Sequence, residues 1–187
     1  MQNPIISNIK ISCKIDLPAS LDYVRKRCSE KKLRVKDFQN FLVIYGKFVI
    51  LLFKASKVFC SQHANITKIR TLQDIPLALK ELSDLTHTYV DVDDKESYKI
   101  DNLTVTGNLE TKINLADFAK KNSELPALRY SPEVFPAVFM KFDKINSIVF
   151  SSGKCVFTGA KELEQVEPIF KLLKEKCQLA PVNITTL

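Results

Sequence analysis

The segment Phe38-Gln-Asn-Phe-Leu-Val-Ile-Tyr-Gly-Lys-Phe-Val-Ile-Leu-Leu-Phe53 returns ninety-seven positions later as Phe135-Pro-Ala-Val-Phe-Met-Lys-Phe-Asp-Lys-Ile-Asn-Ser-Ile-Val-Phe150, without a gap. The match runs on beyond both copies, with Lys57 falling on Lys154 and Ser61 on Thr158. Repetition on this scale settles architecture before any single motif does, because what one copy folds into the other must also form. The expectation is one supersecondary unit used twice.

Each unit opens on alternating apolar and polar residues, Ile9-Lys-Ile-Ser-Cys-Lys-Ile15 in the first and Leu103-Thr-Val-Thr106 in the second. That is the period of a strand with one face buried. Helix starts follow at Leu17-Pro-Ala-Ser-Leu21 and at Asn114-Leu-Ala-Asp117. Three strands should then come in hairpin succession, with turn signals at Tyr45-Gly-Lys47, Phe142-Asp-Lys-Ile-Asn146 and Ser151-Ser-Gly-Lys154. A longer helix closes each unit. In the second it is expected over Glu162 to Cys177, with Pro168 either kinking it or pushing the true start to about residue 167; in the first it is expected from about Asn65 to Leu85, with Pro76 inside. Helices can cover only one face of such a sheet, so the other face must meet something else.

Charge divides the chain in the same way. Residues 1–70 carry a net +10, residues 71–100 a net −4 and residues 101–187 a net +1. The acidic minimum around Tyr89-Val-Asp-Val-Asp-Asp-Lys-Glu96 reads as a solvated linker. The expected organisation is a first repeat over 1–88, an acidic linker over 89–99 and a second repeat over 100–187. The overall surplus of +7 favours a polyanionic partner.

Composition narrows the function classes. The chain is 45% hydrophobic, enough for a core, yet its longest apolar run is the six residues Phe48 to Phe53, where a membrane span needs about 20. Met1-Gln-Asn-Pro4 lacks the charged and then apolar stretch of a signal peptide, so a soluble intracellular protein is expected. Five scattered cysteines and two histidines offer no metal-ligand spacing, and the cysteines read as reduced thiols. The four glycines, at 46, 107, 153 and 159, form neither a phosphate loop nor a dinucleotide fingerprint, and no nucleophile and base set is suggested. No enzyme, cofactor, metal or small-molecule substrate is expected.

The phenylalanines carry the main clue. Phe38, Phe53, Phe135 and Phe150 sit at strand ends or beside turns, two per repeat, with Lys, Ser and Thr between them. A strand Phe usually belongs to a core; paired recurrence at one spacing argues for a shared surface role instead.

Two stretches, Tyr130-Ser-Pro-Glu-Val-Phe-Pro-Ala-Val-Phe-Met-Lys141 and Ile148-Val-Phe-Ser-Ser-Gly-Lys-Cys-Val-Phe-Thr-Gly-Ala-Lys161, together with Ile100-Asp-Asn102 and Cys13-Lys-Ile-Asp-Leu17, resemble the TATA-box-binding proteins, the saddle-shaped general transcription factors. The resemblance covers essentially the whole chain and is stronger after residue 100. It implies an α+β fold: a two-repeat saddle whose curved ten-stranded antiparallel sheet carries four helices on its convex face. It also implies a transcription initiation factor that binds and bends A/T-rich double-stranded promoter DNA through the minor groove. By position Phe135 and Phe150 resemble the intercalating pair of the second repeat and Phe53 one wedge of the first, with Phe38 its partner by the ungapped repeat, or Phe41 if the preceding loop is longer. Asn102 and Thr158 resemble polar groups of the groove floor. Ser61 is the counterpart of Thr158, and Asn3 serves as the first-repeat asparagine if one residue is inserted, since direct counting gives Pro4. Lys57, Lys141, Lys154 and Lys161 are candidates for phosphate contacts. Minor-groove readout separates A·T from G·C and little else, so one Asn and a few hydroxyls suffice to prefer A·T.

Partners follow from the same resemblance. The loop Ser131-Pro-Glu-Val134 resembles the family's docking loop for a transcription-factor-IIB-like protein, keeping Glu133 and an aliphatic at Val134, and the RNA polymerase machinery would follow. The nucleus, or a viral factory for a viral member, is the implied location; a diverged member from a virus or a parasite is the expected kind. Departures fall in the first repeat, where Ser56 replaces a turn glycine and Gln62-His63 replace Gly-Ala after Ser61, and they predict a weaker TATA preference. The rival reading is a diverged interaction module that binds a transcription-factor protein without strong bending, and it need not keep four paired phenylalanines.

Overall fold

The computed structural model describes residues 4–15, 21–53, 63–91, 94 and 96–178. The first half runs β1 (Ile5–Lys14), α1 (Asp22–Glu30), β2 (Arg34–Asp37), β3 (Phe41–Tyr45), β4 (Val49–Phe53), β5 (His63–Ile69) and α2 (Ile75–Thr86). The second half repeats that order as β6 (Tyr98–Asn108), α3 (Leu115–Lys121), β7 (Arg129–Ser131), β8 (Phe135–Phe142), β9 (Ile145–Phe150), β10 (Lys154–Ala160) and α4 (Glu167–Gln178). The ten strands and four α-helices of the described residues are those the resemblance implies. The chain forms two compact units, one of Asn8–Asp101 and one of Met1–Ser7 with Asn102–Leu187.

In the first half the strands lie in the order β2-β3-β4-β5-β1, in the second β6-β10-β9-β8-β7, and every neighbouring pair within each half is antiparallel. Alternation sorts the strands of each half into two faces. Ile9, Ile11, Leu42, Ile44, Ile50, Leu52, Ala64 and Ile66 are fully buried on one face of the first, and α2 adds Ala78, Leu79, Leu82 and Leu85. In the second, Val105, Val149, Cys155 and Phe157 line the core and α4 adds Phe170 and Leu173. The Phe157 and Phe170 rings meet edge to face at 6.3 Å between centroids. A Cβ on Gly107 would stand 2.6 Å from the Phe170 ring, so the missing side chain lets α4 settle on the sheet.

Helix boundaries follow local chemistry. The Asn114 side chain caps α3, accepting from the N–H groups of Ala116 and Asp117 at 3.1 and 3.2 Å. Pro168 lies in the first turn of α4, where its missing donor costs nothing. The closing helix of the first half departs from the sequence expectation. Residues 63–69 are a strand, because Ala64, Ile66 and Ile69 are buried beside β1 and β4, and the helix begins only at Ile75, with Pro76 in its first turn.

The turn between β9 and β10 depends on Gly153, whose φ is +84° and whose added Cβ would overlap the Thr111 carbonyl oxygen. Gly153→Ala combines left-handed strain with that overlap, so a loss of about 2 kcal/mol is expected in urea or thermal unfolding.

Candidate nucleic-acid interface

The face opposite the helices stays open. In the second half it carries Asn102, Thr104 and Thr106 from β6, Val156 and Thr158 from β10, Asn146, Ile148 and Phe150 from β9, and Phe139 and Lys141 from β8. These side chains are small, β-branched or aromatic apart from the lysine, and carry no acid.

Asn102 is held in a defined orientation. Its Oδ1 accepts from the Gly159 N–H at 2.6 Å and from Thr158 Oγ1 at 3.2 Å, while Nδ2 donates to Thr104 Oγ1 at 3.4 Å. A backbone N–H can only donate, so the amide cannot flip, and its second N–H is left to donate outward. Gly159 sits at φ +103°, which turns its N–H toward Asn102 at the point where the β6–β10 register shifts.

The first half builds the same arrangement from residues that carry no sequence motif. Asn8 Oδ1 accepts from the Lys68 N–H at 2.8 Å and from Thr67 Oγ1 at 3.3 Å, and Asn8 Nδ2 lies 3.1 Å from the same hydroxyl. Lys68 has φ +67° and takes the place of Gly159, again beside a register shift. Asn3 and Ser61, the sequence candidates for this role, lie outside the described residues, as does Lys57. The available signal was local: Asn8-Ile9 and Asn102-Leu103 each stand where strand alternation begins.

Connection length and cross-strand register make the offset between the halves vary along the chain. Phe53 and Phe150 keep the ninety-seven-residue offset, but their cross-strand partners Phe41 and Ala137 are ninety-six apart and Thr67 and Thr158 ninety-one. Nine residues join β4 to β5 against three between β9 and β10, a difference of six that takes ninety-seven to ninety-one, and the ninety-six comes from cross-strand register.

Aromatic rings gather at one end of each open face. Phe135 lies 6.0 Å from Phe150 and 5.3 Å from Phe139, centroid to centroid. In the first half Phe38 stacks on Phe41 at 4.7 Å, Phe41 meets Phe53 at 5.6 Å, and His63 stacks on Phe53 at 4.3 Å. Phe38 and Phe53 are thus joined through Phe41. Phe38 is 44% exposed and Phe135 41%, whereas the core rings Phe118 and Phe157 are at 0%; Phe53 and Phe150 are half-buried. A groove of about 700 Å³ opens beside Phe150, lined by Ile5, Thr106, Pro136, Lys154 and Val156.

Cations border this face. Lys141 and Lys154 are exposed on β8 and β10, and Lys161 is exposed just beyond β10, its N–H bonded to Gln165 at 2.8 Å. Arg129 on β7 adds to them, and in the first half Arg34 on β2, stacked 4.6 Å over the Tyr45 ring, and Lys36 border that half's own open face. None of the three stood out in the sequence. In the loop before β8, Glu133 is exposed and Val134 is 81% exposed, its N–H closing a turn on the Ser131 carbonyl at 3.0 Å. Among the described residues no group of three or more His, Cys, Asp or Glu could hold a metal. Burial pushes the Cys13 and Cys177 thiols up to about 11 and that of Cys155 to about 12, which keeps them protonated and unreactive.

Residues 97–178 match the family model for transcription factor TFIID (or TATA-binding protein, TBP). A TATA-box-binding protein of Thermoplasma volcanium is 31% identical over 133 residues, covering 69% of this chain and 68% of that protein. The chain belongs to the TATA-box-binding protein family. The TATA-box-binding protein of Methanococcus aeolicus is 27% identical over 183 residues, covering 91% of this chain and 96% of the relative. TATA-box-binding protein-like 1 of Entamoeba histolytica is 25% identical over 174 residues, covering 91% and 77%. In three dimensions the TBP of Methanococcus jannaschii superposes with a TM-score of 0.73 at 23% identity, covering 95% of this chain and 99% of that one. The fold is therefore that of the family, and the chain is a TBP-like transcription factor rather than an enzyme.

Proposed function

We propose that the open faces bind the minor groove of A/T-rich double-stranded promoter DNA and bend it, so that the bound protein nucleates assembly of the transcription machinery. The observation that carries this reading is the duplicated constellation: in each half one amide, held by a backbone N–H at positive φ, shares the open face with a cluster of half-open rings four residues along the neighbouring strand. Adenine N3 and thymine O2 are acceptors that an amide N–H suits. A ring entering an opened base step replaces part of the lost stacking, and the bent duplex then meets more protein surface. Phe135 with Phe150, and Phe38 and Phe53 with Phe41 between them, are the wedges of this reading. Lys141, Lys154, Lys161, Arg34, Lys36 and Arg129 take phosphates. The exposed Glu133-Val134 turn docks a transcription-factor-IIB-like protein, and RNA polymerase follows.

End-labelled duplexes of equal length, one A/T-rich with TATA-like steps and one G/C-rich, test the proposal by energy transfer. Sharp bending of the A/T duplex supports it, bending of both supports the wedges with a relaxed sequence code, and binding to neither by a folded sample overturns it in favour of a protein-binding module. Electrostatics give an independent check. Affinity should fall steeply with salt, and Lys154→Ala should lower the slope of log K against log salt by about 1 while weakening all sequences alike.

A further inference from the structure

The two open faces differ in charge along β1 and β6. With Asn8 equivalent to Asn102, the strand positions of Thr104 and Thr106 in the second half are those of Lys10 and Ser12 in the first. Lys10 and Ser12 lie opposite the buried Ile9, Ile11 and Cys13, hence on the open face. Both hold the same carboxylate: Ser12 Oγ donates to Asp101 Oδ1 at 3.0 Å, and Lys10 Nζ stands 3.6 Å from Asp101 Oδ2. The Asp101 side chain is 28% exposed and that of Lys10 43%, so both heads are reachable from outside. The residue equivalent to Asp101 in the other unit is Ser7, whose hydroxyl donates to the Thr104 carbonyl at 3.0 Å and brings no charge.

We infer that Lys10 on β1 and Asp101 on β6 form a donor and acceptor pair that recognises a G·C base pair in the minor groove, at one position of the site and within the unit Asn8–Asp101 only. The guanine N2 amino group is the single donor on the minor-groove edge, flanked by the acceptors guanine N3 and cytosine O2. A floor of apolar groups and donors excludes that amino group. A carboxylate has about four acceptor sites, and the Ser12 hydroxyl and the Lys10 ammonium leave some of them open. Asp101 therefore accepts from guanine N2 while Lys10, its counter-charge, donates to the neighbouring acceptor. Facing A·T, the same carboxylate meets only acceptors. This inference rests on the minor-groove reading above and adds to it a preference and a polarity, because the charged pair has no counterpart at Ser7 and Thr104.

Inosine supplies the test, since an I·C pair lacks only the amino group of G·C. A single G·C or I·C pair is moved along an A/T-rich duplex and affinity is measured by fluorescence anisotropy at fixed salt. At one position G·C should bind about 10-fold tighter than I·C, and Asp101→Ala should erase that difference. The wild-type comparison decides even if the variant fails to fold. A G·C pair that binds no better than I·C at every position overturns the inference while leaving groove binding intact. Failure to bind any duplex overturns both.

Discussion

Phe150→Ala should abolish sharp bending of an A/T-rich duplex and weaken binding about 30-fold, with Phe135→Ala close behind, while the melting temperature moves by only a few degrees. The reason lies in what each ring touches. Phe157 is fully buried against Phe170, and its truncation would cost about 3–5 kcal/mol of stability. Phe135 is 41% exposed and Phe150 half-buried at a strand end, so each has less packing to lose. On DNA the balance reverses. Opening a base step costs a few kcal/mol, and a wedge that offsets about 2 kcal/mol of it corresponds to that 30-fold change. Energy transfer on labelled duplexes and thermal melts, with Phe157→Ala as the core reference, separate the outcomes. Variants that bend DNA normally but melt as low as Phe157→Ala would show that these rings are core.

Asn8→Asp and Asn102→Asp should each cost about 100-fold in affinity for an A/T-rich duplex at little cost in stability. The substitution keeps the inward oxygen, which still accepts from Lys68 N–H or Gly159 N–H. It removes the outward donor and sets a carboxylate against groove acceptors, a combined penalty of about 3 kcal/mol. Asn102→Ala acts differently, because the Gly159 N–H loses its partner and stability falls by about 1–3 kcal/mol. Calorimetric melts beside anisotropy titrations distinguish the two. Undiminished binding by both Asp variants would remove these residues from the groove floor.

Much of the fold was legible because it is written in periods. Alternation marked β1 and β6, Asn114 and Pro168 marked the starts of α3 and α4, and the ninety-seven-residue match announced two equivalent units. The helix expected over 65–85 failed at its start because Ala64, Ile66 and Ile69 read as an apolar face on either period, and only burial beside β1 and β4 makes them a strand. The second-half rings and Asn102 were within reach of a motif. Arg34, Lys36 and Arg129 were not, since a surface cation acquires meaning only from the face it shares.

The duplicated plan and the chemistry of each unit are properties of the amino-acid order alone, because hydrophobic period and turn residues act over a few neighbours and survive in one dimension. Register belongs to the folded chain. Unequal connections carry Thr67 and Thr158 to ninety-one residues apart, and pairing across strands, which counting along the chain cannot see, sets Asn8 rather than a residue nearer the start against Thr67. Strand pairing is fixed by buried faces meeting in space, and a shift of one residue exchanges the buried face for the open one.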